Sequence, residues 1–220
     1  MRQRMPEDHR SRYSDYDVLD KATSVDWDEQ TWQAVQRRLA GDPSARFFTE
    51  REVSTLEAVV ERILPQPDRA KAQKVPIVPW IDAKLFHDRR DGYRYEDIPP
   101  QREAWRLAIE GVDETAQAIY GHAFVELDPA QQDEVLRRIE SGSAVGSAWQ
   151  KVSARRFFKS VLCTTVVKAY YSHPTAWNEI GYSGPAAVRG HVRIWIGGVD
   201  PWEPNETGGG GRTEASDQRH

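Results

Sequence analysis

The sequence predicts an all-α fold: an irregular helical bundle of about six helices with a long ordered C-terminal loop and flexible termini. Apolar residues recur every three or four positions over several long segments, which is the period of an amphipathic helix. Residues that typically begin or end helices flank these segments. No two segments show convincing strand alternation, although "HVRIWIGG", residues 191–198, could form one short strand.

The first two helices follow from the segments 28–40 and 49–64. In the second, Thr49 stands three residues before Glu52, which is the pattern of a capping box. The apolar residues behind this start recur at helical spacing and predict a stripe that faces the core. That stripe comprises Val53, Leu56, Val60 and Ile63.

A proline-rich connection separates these helices from a short third helix in "VPWIDAKLFHD", residues 78–88. The fourth helix is long and covers 101–120, with Gly121 as its stop. Its predicted apolar face comprises Trp105, Ala108, Ile109, Val112, Ala116 and Ile119.

The fifth helix has strong start and stop signals. Asp128 is its predicted cap, Pro129 occupies the first helical position, and Gln131 stands at the third. Gly142 ends it. The sixth and most apolar helix covers 149–172, and its apolar residues fall on several faces, which predicts neighbours on several sides.

Composition shifts predict three regions. Residues 1–25 are polar and are expected to form a disordered N-terminal extension, whereas 26–204 form a single helical domain. Residues 205–220, which include four consecutive glycines, are expected to form a flexible tail. Within the domain, the chain from His173 onward is predicted to be irregular.

Several classes of function are disfavoured. The formal net charge of -4 without a clustered basic surface argues against a nucleic-acid partner. No apolar run approaches the ~20 residues of a membrane span. Phosphate-binding, hydrolase and zinc motifs are missing, and the six histidines are scattered. A single cysteine, Cys163, excludes an internal disulfide and is expected to be a buried inert thiol. We therefore assign no catalytic, cofactor-binding or metal residue.

Aromatic residues are concentrated near the C-terminal end, above all in "YYSHPTAWNEIGYSGP", residues 170–185. They can either close one end of the bundle or form part of an interface, where aromatic side chains are enriched. In the first case Trp177 and Tyr182 pack down as a lid, with Gly181 and Gly184 in tight turns. Candidate partner-interface residues are Tyr170, Tyr171, His173, Pro174, Trp177, Asn178, Tyr182, Trp195 and Trp202.

Four segments in this order resemble one family. They are "FFTEREVSTLEAVVERILP", "VPWIDAKL", "YGHAFVELDPAQQDEVLRRIESG" and "FFKSVLCTTVVKAYYSHPTAWNEIGYSGP". Together they resemble the gluconate 2-dehydrogenase subunit 3 family over about 47–190. The Tyr-Tyr-x-His-Pro-x-x-x-Asn-x-x-Gly-Tyr-x-Gly-Pro pattern that ends the set is its most specific part.

The resemblance implies an accessory role beside a large GMC-type, FAD-dependent oxidoreductase that oxidises sugars, sugar acids or glycosides. FAD is then expected in the partner and no cofactor in this chain, and a haem-bearing cytochrome subunit can pass on the electrons. Family members often carry a twin-arginine export signal, which is missing here. We therefore expect a cytoplasmic complex, with export by a signal on the partner as the alternative.

Two other readings stay open from the residues. His173, Asn178 and Tyr182 could contribute to the active site or electron path of such a complex. Alternatively, the chain could be a free-standing helical interaction module that works outside any dehydrogenase.

Overall fold

The computed structural model describes Tyr13 and residues 16–24, 27–42, 46–70, 73–92 and 94–185. All regular elements within these residues are helical, which confirms the all-α class. The α-helices are α1 (Glu29–Ala40), α2 (Glu50–Ile63), α3 (Ile77–Phe86), α4 (Gln101–Tyr120), α5 (Pro129–Ser141), α6 (Ala154–Arg156), α7 (Thr164–Tyr171) and α8 (Pro174–Ile180). Short 3-10 turns cover Val18–Thr23, Phe124–Glu126 and Ala148–Gln150.

The helix predicted over 149–172 is less regular than expected. A 3-10 turn precedes it, and it begins at Ala154. Between α6 and α7 the backbone forms a π-helical segment, Phe157–Cys163. A π-helix has a wider turn than an α-helix and shifts the angular position of every side chain after it. This shift explains why no single 3.6-residue period fits the apolar residues of the segment.

The chain divides into two compact units. The central unit is Ala40–Tyr171, and the terminal unit combines the described residues of 1–39 with those from Ser172 onward. The single domain predicted over 26–204 stays a prediction, because helical periodicity marks helices but does not show which of them pair. The predicted boundary at 204, the tail 205–220 and the possible strand at 191–198 lie outside the described residues.

Trp105 lies at the centre of the core of the central unit. Its side chain is 1% exposed, and its ring makes edge contacts with Phe48 and Phe157 at centroid distances of 6.3 and 5.2 Å. On α4 the predicted apolar face is buried except at Ile119, which is half-buried. On α2 the stripe is buried only in its middle, at Leu56 and Val60. Helical spacing therefore predicted the direction of both faces but not their width.

The predicted helix ends are confirmed. Thr49 and Glu52 form both halves of a capping box at the start of α2. At α5, Asp128 and Gln131 do the same, with Pro129 at the first helical position. Gly121 and Gly142 end α4 and α5 in the left-handed region, where glycine avoids the strain of a Cβ atom.

Packing between helices also depends on polar contacts that have no sequence motif. The carboxylate of Asp82 on α3 is buried and accepts hydrogen bonds from the backbone N–H groups of Phe47 and Phe48, just before α2. On α4, there is no room for a side chain at Gly111, because a Cβ atom there would lie 2.4 Å from the indole of Trp149. The indole N–H donates to the carbonyl of Gly111 at 3.0 Å.

Candidate partner interface

The aromatic segment 170–185 is more regular than predicted. The sequence predicts an irregular loop from His173 onward, but Pro174–Ile180 form α8. Pro174 occupies the first helical position, where its missing N–H costs nothing, and Gly181 ends the helix in the left-handed region. His173 has the expected extended backbone, and its Nδ1 accepts a hydrogen bond from the N–H of Thr175. The His-Pro pair is therefore a helix start.

Most of the aromatic surface of this segment packs inward. Trp177 is 3% exposed and lies in an apolar cluster with Val18, Trp27 and Val35. Tyr182 contacts the Trp177 ring edge-on at a centroid distance of 5.5 Å, so these two residues pack together as expected. The residues that cover Trp177 come from the other end of the chain, and the local sequence contains no signal for them.

Asn178 joins the two sequence segments that make up the described part of the terminal unit. Its side-chain oxygen accepts a hydrogen bond from the backbone N–H of Val18 at 2.8 Å, and its amide nitrogen donates to Asp17 at 3.0 Å. Beside it, the ammonium group of Lys21 donates to the carbonyl of Ser183 at 2.8 Å. An asparagine side chain can supply a donor and an acceptor at once, as it does here.

These contacts order part of the segment predicted to be disordered. Within 1–25, the described residues include a 3-10 turn over Val18–Thr23 whose Val18 side chain is fully buried. Gly184 lies so close to Trp27 that a Cβ atom there would approach the indole to 2.6 Å. Composition alone predicts disorder over 1–25, because it does not show which residues another part of the chain covers.

Burial narrows the set of candidate interface residues. Tyr170, Pro174 and Trp177 are buried in the chain, whereas Tyr171 and Tyr182 keep 44% and 40% of their surface exposed. His173 and Asn178 are half-buried and engaged in the contacts given above. Trp195 and Trp202 lie outside the described residues. That any of these residues meets a partner stays a prediction.

A groove of about 690 Å³ crosses the surface of the central unit. One wall consists of described residues of 88–104, which join α3 to α4 and enter the first turn of α4. The opposite wall is formed by the π-helical segment and the start of α7, through side chains between Ser160 and Lys168. Sequence reasoning missed this groove. The available signal was a group of hydroxyl residues, Ser160, Thr164 and Thr165, inside the most apolar helix.

The floor of the groove combines apolar side chains with available hydroxyl groups. Ile98, Pro100 and Val161 contribute apolar surface. In a regular α-helix a serine or threonine hydroxyl commonly bonds back to the carbonyl four residues earlier. Within the part of the chain that the structure describes, the hydroxyls of Ser160 and Thr165 have no such partner. They can therefore bind a group that enters the groove.

The charges along the groove are predominantly positive. Four cationic side chains and two carboxylates line it, although the whole chain carries a formal net charge of -4. The Asp88 carboxylate pairs with Arg90 at 2.7 Å, and this bond lowers the pKa of Asp88 below its usual range. The Asp91 carboxylate pairs with Lys84 at 2.5 Å and lies 3.8 Å from Lys168.

The two remaining cations of the groove have no ion pair with a described residue. Arg94 donates to the carbonyl of Ile98 at 2.9 Å. Arg102 lies over the Phe47 ring, with 4.9 Å between its guanidinium carbon and the ring centroid. Both guanidinium groups are on exposed residues, so an anionic partner can reach them.

The exposed face of α7 continues from the groove. Thr164 and Lys168 line the groove, and Val167 and Tyr171 follow on the same helical stripe. Val167 is 46% exposed and Tyr171 is 44% exposed. These two side chains extend the apolar surface of the groove along α7.

Cys163, at the end of the π-helical segment, is half-buried rather than fully buried. Desolvation raises the pKa of its thiol, with a further contribution from the Glu140 carboxylate. The thiol is therefore mostly protonated at neutral pH, and a protonated thiol is a poor nucleophile.

The described residues contain no group of three or more histidine, cysteine, aspartate or glutamate side chains placed to hold a metal ion. None of the helices in the described ranges is both long enough and apolar enough to cross a bilayer.

Comparison with known proteins identifies a family for this chain. No curated protein and no solved structure has a significant match to this chain. The sequence model of the gluconate 2-dehydrogenase subunit 3 family matches residues 50–184, which run from the start of α2 to the glycine that packs on Trp27. Since this match covers more than half of the 220 residues, the chain belongs to the gluconate 2-dehydrogenase subunit 3 family.

Proposed function

We propose that this chain is a non-catalytic small subunit of an FAD-dependent dehydrogenase complex that acts on a sugar, sugar acid or glycoside. It supports assembly, stability or export of the flavoprotein subunit, which carries the FAD. The observation that carries this proposal is the family match over 50–184. A cytochrome subunit would complete the electron path in complexes that have one.

The engagement of the candidate catalytic side chains supports an assembly role. His173 caps α8 through Nδ1, and Asn178 uses both its oxygen and its nitrogen to hold the N-terminal segment. Tyr182 packs on Trp177. Each of these side chains therefore has a structural role within this chain, which favours assembly over a direct part in the oxidation.

A subunit that binds only the folded flavoprotein stabilises it by mass action. Permanent subunit interfaces commonly bury more than about 2,000 Å² and are more apolar than transient ones. The exposed Val167 and Tyr171 and the groove beside them would form part of such an interface. The complex would occupy whichever compartment the flavoprotein occupies.

Co-expression tests the proposal. The chain would be produced with the flavin oxidoreductase encoded nearest to it, and the mixture would be analysed by gel filtration, flavin content and dye-linked sugar oxidation. We expect one peak that contains both chains, and a flavoprotein that loses flavin and solubility when produced alone. Separate elution together with equal activity of the isolated flavoprotein would overturn the proposal.

The variant His173→Ala separates assembly from catalysis. If the role is structural, the variant weakens the complex, and turnover falls only in proportion to the complex lost. If turnover instead disappears while the complex stays intact, the chain contributes to the active site.

A further inference from the structure

We propose that the groove between residues 88–104 and the π-helical segment receives an acidic segment of the flavoprotein partner. The segment would lay apolar side chains on the groove floor and place carboxylates against Arg94, Arg102 and Lys168. This inference rests on the proposed function and specifies the surface through which it works.

Charge complementarity identifies the occupant as acidic. Arg90 is already paired with Asp88, and Lys84 already pairs with Asp91. Among the described residues, Arg94 and Arg102 have no carboxylate at hydrogen-bond distance, Arg102 interacts with Asp88 only at longer range, and Lys168 has only the Asp91 contact at 3.8 Å. A carboxylate that enters the groove would pair with cations that no described carboxylate neutralises at hydrogen-bond distance, and arginine binds carboxylates with a well-matched fork of donors.

The floor indicates that the occupant is a polypeptide with apolar residues. Ile98, Pro100 and Val161 offer apolar surface, and the hydroxyls of Ser160 and Thr165 offer hydrogen-bonding groups. A peptide carries both kinds of group, since apolar side chains can cover the floor while backbone amides bond the hydroxyls. Peptide grooves generally combine these two features.

The continuity of the groove with the exposed face beside it favours a segment of protein over a small molecule. The groove runs into the exposed face of α7, where Val167 and Tyr171 extend the apolar surface along the helix. Small-molecule sites are concave and bury most of their ligand. Only a longer occupant can cover both the groove and this stripe.

Charge reversal at the groove is the first test. The double variant Arg94→Glu, Lys168→Glu changes two exposed side chains, so the fold should be retained. We expect the affinity for the purified flavoprotein to fall by at least about 10-fold, with a weaker dependence on salt concentration. The matched control is the double variant Arg137→Glu, Arg155→Glu, which makes the same change of charge at a different cluster of exposed residues. It should bind within about 2-fold of the unchanged chain.

A steric block tests the floor without changing charge. Thr164 is exposed, so Thr164→Trp fills the groove without disturbing the core, and Gln117→Trp on α4 is its matched control. We expect the first to weaken binding and the second to leave it unchanged. Circular dichroism would verify that each variant is folded.

The outcomes separate this inference from the proposed function. If the unchanged chain binds the flavoprotein and both groove variants bind equally well, the groove is not the contact, while the proposed function stands. If the unchanged chain does not bind the flavoprotein at all, both fail. Restored binding of the charge-reversed variant by a flavoprotein with lysines in an acidic segment would identify that segment as the occupant.

Discussion

The central unit and the terminal unit differ in the sequence range of the contacts that stabilise each of them internally. In the central unit, helix ends are fixed over three residues, as in the capping box of Thr49 and Glu52. In the terminal unit, the backbone of Val18 bonds to Asn178, and Lys21 bonds to Ser183, both more than 150 residues away. Chain ends are usually poorly ordered unless such contacts hold them. A polar terminal segment can therefore be ordered by a few specific bonds.

The largest expected effect on stability comes from removing a large side chain from the core of the central unit. Trp105 is 1% exposed and contacts Phe48 and Phe157. We expect Trp105→Ala to lower the free energy of unfolding by about 3–5 kcal/mol, because it leaves a large cavity. Urea denaturation followed by circular dichroism measures this. As a control, Phe86→Ala at a 43% exposed position should cost much less, and equal costs would contradict this assignment of the core.

A second change addresses the polar contact before α2. Asp82→Ala leaves the buried N–H groups of Phe47 and Phe48 without their acceptor. We expect a loss of about 2–3 kcal/mol, since each unsatisfied buried donor costs about 1–3 kcal/mol. Asp82→Asn keeps one acceptor oxygen and should lose less. An alanine variant as stable as the unchanged chain in urea denaturation would show that these bonds are dispensable.

The third change tests the long-range bonds of the terminal unit. Asn178→Ala removes the acceptor of the Val18 N–H and the donor to Asp17. We expect a local loss of about 1–2 kcal/mol. Hydrogen exchange should rise most in 16–24 and 174–185, which mass spectrometry of peptides can measure. Ile180→Ala, on the same helix but 50% exposed, is the matched control. Unchanged exchange in 16–24 after Asn178→Ala would mean that other contacts order this segment.

The sequence separation of these contacts also explains which helices and helix ends can be predicted from the sequence. The starts of α2 and α5, the ends of α4 and α5 and the apolar face of α4 follow from residues close together in the sequence. The 3-10 turn over Val18–Thr23 does not, because its burial depends on Trp177 and Asn178. The sequence predicts a loop where α8 lies, although His173 and Pro174 form a recognisable start.

The groove was unpredictable for a related reason. It requires the loop before α4 to lie across the π-helical segment, and the sequence pattern of either part alone does not show this. Over Phe157–Cys163 the apolar residues do not follow the 3.6-residue period, and the sequence alone predicts a helix with neighbours on several sides. A wider turn is the physical cause, and it places Ser160 and Thr165 on the groove.

The smallest expected effect concerns the ion pair between α2 and α5 in the central unit. The guanidinium of Arg62 contacts Asp133 through Nε at 2.7 Å and through Nη2 at 2.8 Å. The bond from Arg62 lowers the pKa of Asp133. This stabilisation is therefore fully present above the unfolded pKa, about 3.9, and disappears as the pH falls through the folded pKa. Because the Asp133 side chain is 38% exposed, we expect only about 0.5–1 kcal/mol after screening by solvent.

Comparison with Asp133→Asn isolates this contribution. At pH 7 the unchanged chain should be more stable than the variant in urea denaturation, and the difference should shrink as the pH is lowered from about 5 to below the folded pKa. Glu110→Gln, which changes an exposed carboxylate of α4 without an ion pair among the described residues, is the control for the loss of a surface charge. A difference for Asp133→Asn that stays constant would mean that Arg62 does not stabilise the ionised form of Asp133.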